Sequence, residues 1–133
     1  MNPEIWGPHA WIFLHTITLA YPQNPTYVDK SNYKLFFNNL GSILPCDKCK
    51  LHYKQNLNEF PLTDNVLDSK DELVKWLINI HNNVNKRNGK RIMAYEDVLD
   101  KYYHMYRPKS NYMYLVYFVV LIFVLIVIKK LLS

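Results

Sequence analysis

Seventeen consecutive residues near the C-terminus, "YMYLVYFVVLIFVLIVI" from Tyr112 to Ile128, carry no charge, no glycine and no proline. At helical rise such a run nearly crosses a hydrocarbon layer of ~30 Å. A domain of this size has nothing to cover a helix that is apolar on every side, which disfavours a buried soluble helix. Tyr112, Tyr114 and Tyr117 fall at one end, where an aromatic belt sits, and Lys129 and Lys130 at the other, where long side chains snorkel. The run therefore predicts a transmembrane anchor over 112–130, preceded by a linker over 108–111 and a single folded domain over 1–107. Arg107 and Lys109 on one side balance Lys129 and Lys130 on the other, so charge alone does not orient the anchor.

The remaining chain suffices for one core and not two. Its two cysteines, Cys46 and Cys49, cannot build the multi-bridge framework of a small secreted domain. Met1 to Ala20 lacks the basic start and small-residue cleavage site of a signal peptide, so a secreted scaffold is not expected. The formal charge of +5 is moderate, and its densest cluster is "NKRNGKR" at 85–91. A solvated helix end is the plain reading of that cluster, and an anionic partner the functional one. The aromatics near it lie at core spacing and no groove-reading motif accompanies them, which argues against nucleic acid.

Helical spacing recurs along the chain and no sustained alternation does, so the expected fold is all-α, a bundle of about five helices. A first helix is predicted from Gly7-Pro8 to Tyr21-Pro22, with Gly7, Trp11, His15 and Thr18 on one face. A second runs from Ser31 to Leu44, where Tyr33, Phe36, Phe37 and Leu40 recur at threes and fours, and a third from Pro45 to about Leu57. Ser69 with Glu72 announces a fourth, carrying Leu73, Trp76, Leu77, Ile80 and Val84 until Asn88-Gly89 stops it. A fifth lies near Tyr95 to Tyr106 and ends before Pro108.

The stretch "LPCDKC" places Cys46 in the first turn of the third helix and Cys49 one turn later on the same side. The positive end of a helix favours a thiolate there. A bridge closing so short a loop adds little stability, which suits redox cycling. Zinc is the main competitor, because Cys46, Cys49 and His52 form C-x-x-C-x-x-H and another of the five histidines could complete a tetrahedron. That alternative is a zinc-stabilised membrane adaptor without catalysis. Inert cysteines are the third reading, and spacing does not decide among them. A dithiol oxidase with no further cysteine pair needs an organic cofactor as electron acceptor. Trp11 and His15, the polar face of His81, Asn82 and Asn85, and the basic turn from Lys86 to Arg91 would suit a flat ring, a nucleotide and a pyrophosphate. Each has a plainer structural reading as core or solvated surface.

Taken in order, "WGPHAWIFLHT", "LPCDKC", "KWLINIHNNVNKRNGK" and "VLDKYY" resemble the Erv/ALR family of FAD-linked sulfhydryl oxidases, particularly the short versions of large DNA viruses. The resemblance covers Ile5 to about Tyr103. It implies a four-helix bundle plus one short helix, holding FAD noncovalently beside the C-x-x-C. It implies that Cys46 exchanges with thiol-containing protein substrates and that Cys49 faces the flavin, with electrons passing to FAD and then molecular oxygen to give hydrogen peroxide. Gly7, Trp11 and His15 match family positions along the flavin; His81, Asn82, Val84, Asn85, Lys86 and Lys90 match the segment that grips the adenosine and phosphates. No resident metal is implied, and a homodimer through the first helices is the family habit.

Three departures accompany the resemblance. The positions of a structural disulfide common in cellular members are Ile78 and Tyr95 here, so packing must replace it. The flexible shuttle cysteine pair is missing, so a partner must reach Cys46 directly or the chain is itself a downstream link. The tryptophan late in the family domain is Tyr102, which could still stack on adenine. The tail anchor implies a single-pass protein of a virion or host-cell membrane with its oxidase domain on the cytosolic side.

Overall fold

In the computed structural model, which describes residues 1–108 and 112–132, the described residues form seven helices and no strand. They are α1 (Pro3–Leu19), α2 (Tyr27–Ile43), α3 (Asp47–Glu59), α4 (Asp64–Leu67), α5 (Lys70–Arg87), α6 (Tyr95–Tyr106) and α7 (Tyr112–Leu131). Met1–Tyr102 make one compact unit and the chain from Tyr103 onward a second. The all-α bundle is the expected one, with α4 added. Apart from Pro108, the linker expected over 108–111 lies outside the described residues, as does Lys109.

Cap chemistry explains where two helices begin earlier than their apolar spacing suggests. α1 starts at Pro3, not at Gly7-Pro8, because the Asn2 side chain accepts from the Glu4 amide at 3.0 Å and Pro3 takes the first helical position. Pro8 then lies inside the helix, where its missing N–H deprives only a first-turn carbonyl of a partner. α2 starts at Tyr27, not near Ser31, on a capping box: Thr26 Oγ1 accepts from the Asp29 amide at 3.2 Å, and Asp29 Oδ2 from the Thr26 amide at 2.8 Å. The Thr26 hydroxyl, which also donates to Asp29 Oδ2 at 2.6 Å, and after it the Thr26 amide hold the Asp29 carboxyl below its usual range. The four residues of α4 are too few to show a period; Thr63 caps them, and the Tyr21 hydroxyl donates to the carbonyl of Leu67 at 2.8 Å.

α5 begins and ends as predicted. Ser69 accepts from the Glu72 amide at 3.2 Å, although the Glu72 carboxylate turns to Lys75 instead of closing the box. At its other end Gly89 adopts φ +64°, Gly89 N–H donates to the Lys86 carbonyl at 3.2 Å and Lys90 N–H to that of Asn85 at 2.8 Å. This is the Schellman pattern, and glycine is the residue that adopts it without a steric penalty.

Two stripes of α5 are buried, which makes it the organising helix of the unit. Leu73, Trp76, Leu77 and Ile80 join Leu14, Tyr21, Phe37, Tyr53, Leu62 and Leu67 in the main core. The adjacent stripe begins with Val74 and Ile78, which pack with Val98 and Tyr102 of α6, and continues into His81 and Asn85. α5 thus packs on α1, α3 and α4, while α2 packs on α3. Buried aromatic hydroxyls and an indole tie these layers: Tyr53 to the Phe37 carbonyl at 2.8 Å, and Trp76 to that of Phe60 at 2.9 Å. A Cβ on Gly41 would stand 2.8 Å from the Tyr53 ring, so α2 and α3 approach this closely only over a glycine. Ile78 and Tyr95, the positions without the family disulfide, share the second cluster with Met93 and Leu99, so apolar packing occupies that junction.

α7 spans 20 residues with none buried, about 30 Å at helical rise. By length and composition it is one candidate membrane-spanning helix.

Candidate active site

A cleft of about 540 Å³ opens among α1, α3, α5 and the segment after α5. The dithiol stands in its wall. Pro45 ends the turn from α2, Cys46 is the extended N-cap of α3 (φ −158°, ψ 117°) and Cys49 lies in the first helical turn. The two are joined as a disulfide across a Cα separation of 5.1 Å, and the Cys49 amide also donates to Cys46 Sγ at 3.3 Å. Both sulfurs therefore sit where backbone N–H groups and the positive helix end stabilise a thiolate once the bond opens.

The opposite wall is aromatic. The Trp11 and His81 rings stack with centroids 3.8 Å apart and planes 9° from parallel. Behind them His15, fully buried, hydrogen-bonds through Nε2 to His81 Nδ1 at 3.0 Å, and Tyr102 lies 4.8 Å from the His15 ring. Burial pushes both imidazoles down, His15 to about 4 and His81 to about 3, with Lys101 adding to the effect on each and the paired ring adding to that on His81. Both are neutral at pH 7, so only one nitrogen of the pair carries the shared proton. His15 Nδ1 is buried without a partner. A bare acceptor there is less costly than an orphaned N–H, so His15 Nε2–H is the donor and the remaining proton of His81 is on Nε2.

Cations line the cleft: Lys48, Arg87, Lys90, Arg91 and Lys101, against the single carboxylate of Glu4. Two indole or amide nitrogens on cleft-lining residues, Trp6 Nε1 and Asn56 Nδ2, are buried donors with no hydrogen-bond partner among the described residues. A Cβ placed on Gly7, also in the lining, would meet nothing within 4 Å. Apolar walls, unused donors, a bare backbone face and an excess of cations suit a large, flat, anionic ligand.

Of the residues singled out from sequence, Gly7, Trp11, Cys46, Cys49, His81, Val84, Asn85, Lys90 and Tyr102 line this cleft. Three do not. His15 lies one layer behind, holding His81. Asn82 clamps the chain after α5, donating to the Met93 carbonyl and accepting from its amide, each at 2.9 Å. Lys86 is exposed and off the cleft wall. Sequence reasoning did not single out Trp6, Lys48, Asn56 or Lys101, and it named His52, which also lines the cleft, only as a candidate zinc ligand. Trp6 stood inside the quoted "WGPHAW" motif, whereas Asn56 has no local signal, since only α3 packing on α5 brings it to the cleft. Among the described residues no three His, Cys, Asp or Glu side chains are grouped to hold a metal ion, so the C-x-x-C-x-x-H spacing is not matched by a ligand set.

The Erv1 / Alr family model matches residues 8–104. A probable FAD-linked sulfhydryl oxidase of Acanthamoeba polyphaga mimivirus is 44% identical over 119 residues, covering 90% of this chain and 83% of that protein. An FAD-linked sulfhydryl oxidase of African swine fever virus is 31% identical over 97 residues, covering 73% of this chain and 79% of the relative. Among solved structures, the crystal structure of the yeast Erv1 core superposes with a TM-score of 0.70 at 27% identity, over 77% of this chain and 84% of that one. The FAD binding domain of Erv1 from Saccharomyces cerevisiae gives 0.67 at 30% identity, over 72% and 89%.

Proposed function

The chain belongs to the Erv1 / Alr family, and from that membership we propose its function: it is an FAD-linked sulfhydryl oxidase that forms disulfide bonds in thiol-containing protein substrates. The observation that carries the reading is the Cys46–Cys49 disulfide in the wall of a cleft built for a flat, anionic group.

The residues divide the work by position. Trp11, His81 and Tyr102 offer ring faces, Trp6 and Asn56 offer N–H donors to polar ring atoms, and Lys90 with Lys101 offers charge to a pyrophosphate. A substrate thiolate attacks Cys46 Sγ, the Cys46–Cys49 bond breaks, and Cys49 leaves as a thiolate at the positive end of α3. A second substrate thiolate then attacks the mixed disulfide and releases Cys46, so the substrate gains one S–S bond and the enzyme pair holds two electrons and two protons. Bound FAD supplies the acceptor for that electron pair, which molecular oxygen takes up with two protons as hydrogen peroxide.

The test uses the full chain in detergent. Absorbance near ~450 nm that bleaches with dithiothreitol and returns under air, with peroxide formed in step, is the expected result. Cys46→Ser and Cys49→Ser should each retain flavin and lose more than 99% of turnover, about the effect of removing a nucleophile that acts as one unit with its partner. A protein that binds no flavin, or consumes no thiol, overturns the reading.

α7 anchors this unit as a single-pass tail in a virion or host-cell membrane, with the oxidase on the cytosolic face; the support is its length and apolar composition. Exposed Phe13 on α1, with Val28 and Leu35 on α2, supports a homodimer, and a detergent-corrected mass equal to one chain in light scattering would refute it.

A further inference from the structure

Of the five cations of the cleft, Arg91 is paired with Asp97 at 3.7 Å and the other four fall into two sets. Lys90 and Lys101 both act on His81, at the aromatic end. Lys48 and Arg87 both act on His52, one turn beyond Cys49 on α3. Arg87 Nη1 donates to the His52 carbonyl at 3.2 Å, which holds its guanidinium against the dithiol helix. Lys48 stands between the two cysteines in sequence. Its neighbour Asp47 is already engaged by Lys50 at 3.3 Å, and among the described residues neither Lys48 nor Arg87 has a carboxylate within ion-pair distance. Lys90 and Lys101 match a pyrophosphate dianion in charge, which leaves Lys48 and Arg87 over at the dithiol end.

We propose that Lys48 and Arg87 select the substrate: the thiols that reach Cys46 lie in an acidic segment, with Asp or Glu beside the reacting cysteine. This rests on the thiol-oxidase reading and adds the chemical class of partner to it. Two uncompensated cations beside the point of attack attract an acidic segment during encounter and hold it in the complex, and they repel a basic one. They also favour the approaching group in its reactive form, because the nucleophile is a thiolate. Cys46 and Cys49 are the two cysteines of these 133 residues, and a thiol that attacks Cys46 approaches Lys48 and Arg87 in the same cleft. The exchange itself balances: one substrate dithiol becomes a disulfide as the Cys46–Cys49 disulfide becomes a dithiol.

The test compares two otherwise identical peptides bearing one Cys-x-x-Cys dithiol, flanked by glutamates in one and lysines in the other, with the FAD-loaded full chain. The expected ratio of kcat/KM, acidic over basic, is about tenfold or more in low salt, and it collapses toward unity near ~0.5 M salt, where the Debye length is only a few ångströms. Lys48→Glu should lower that ratio at least fivefold and Arg87→Glu should do the same; using the ratio within each variant cancels any general loss of flavin or fold. A ratio within twofold of unity in low salt, or one that neither reversal moves, overturns the proposal. Dithiothreitol is the neutral reference: if it is oxidised while the peptides are not distinguished, only this inference fails, and if it is not oxidised, the thiol-oxidase reading fails with it.

Discussion

Gly7 and His15 show how one helix face divides its residues by depth. The spacing Gly7, Trp11, His15, Thr18 marks a face, and that face is real, but only Gly7 and Trp11 of it line the cleft, and His15 sits behind as the donor that sets the tautomer of His81. Gly7 is open where the cleft needs space. In α1 a glycine costs about 1 kcal/mol relative to a good helix former. Gly7→Leu should therefore leave the flavin-free protein as stable or up to about 1 kcal/mol more stable, while the side chain fills the cleft and weakens FAD binding more than tenfold. Thermal melts of the apoprotein beside a flavin titration separate the two effects, and wild-type flavin affinity in the variant would show that Gly7 does not border the cofactor. Asn56 marks the limit of local reading: its fully buried amide gains meaning only from Asn83 of α5, which donates to its oxygen at 3.1 Å and leaves the nitrogen over.

At the scale of elements, the Ser69–Glu72 signal with the apolar spacing behind it placed the start of α5, and apolar spacing placed α6 near Tyr95. α1 and α2 were located less well because their N-termini are set by Asn2 and by Thr26 with Asp29, short polar signals lying outside the apolar pattern. The aspartate of that box replaces the more familiar glutamate, which hid it. α7 is the opposite case, legible from composition alone. No residue of it is buried, and the tail-anchor proposal makes a topology prediction. In sealed vesicles carrying the inserted full chain, added protease should degrade the oxidase unit and leave a small α7 fragment. Protection of the oxidase unit would place it on the lumenal side and overturn the cytosolic assignment.

For the molecule as a whole, the buried histidine pair links folding to pH. His15 and His81 have folded-state values near 4 and 3, held below the usual 6.5 chiefly by burial. The unfolded chain therefore binds more protons than the folded one between pH 6.5 and about 4, and the stabilisation present above pH 6.5 is lost as pH falls through that window. A loss of about 4 kcal/mol between pH 6.5 and 4.5, about 2 from each histidine, is expected, read as a falling Tm. The carboxyls of Asp29, Asp64 and Asp71 are held below 3.8 and titrate outside the window. His15→Gln should flatten the slope, and a wild-type Tm that stays level from pH 6.5 to 4.5 would mean the pair accepts a proton without penalty.

By itself the sequence determined whatever depends on neighbours along the chain: helical class from periodicity, a helix long and apolar enough to cross a membrane from an uncharged run, the stop of α5 from Asn88-Gly89, and two cysteines at a helix start from Pro45 and the C-x-x-C spacing. Helix formation, capping and membrane partition are local equilibria, so local composition decides them. Only the tertiary structure decided which face of the dithiol helix meets α1 and α5, that His15 supports the cleft without lining it, that Asn82 clamps a loop, and that the basic residues divide between two ends of one cleft. Those outcomes depend on where helices cross, and crossing is set by side-chain packing between elements, such as Gly41 against the Tyr53 ring, which no single segment encodes.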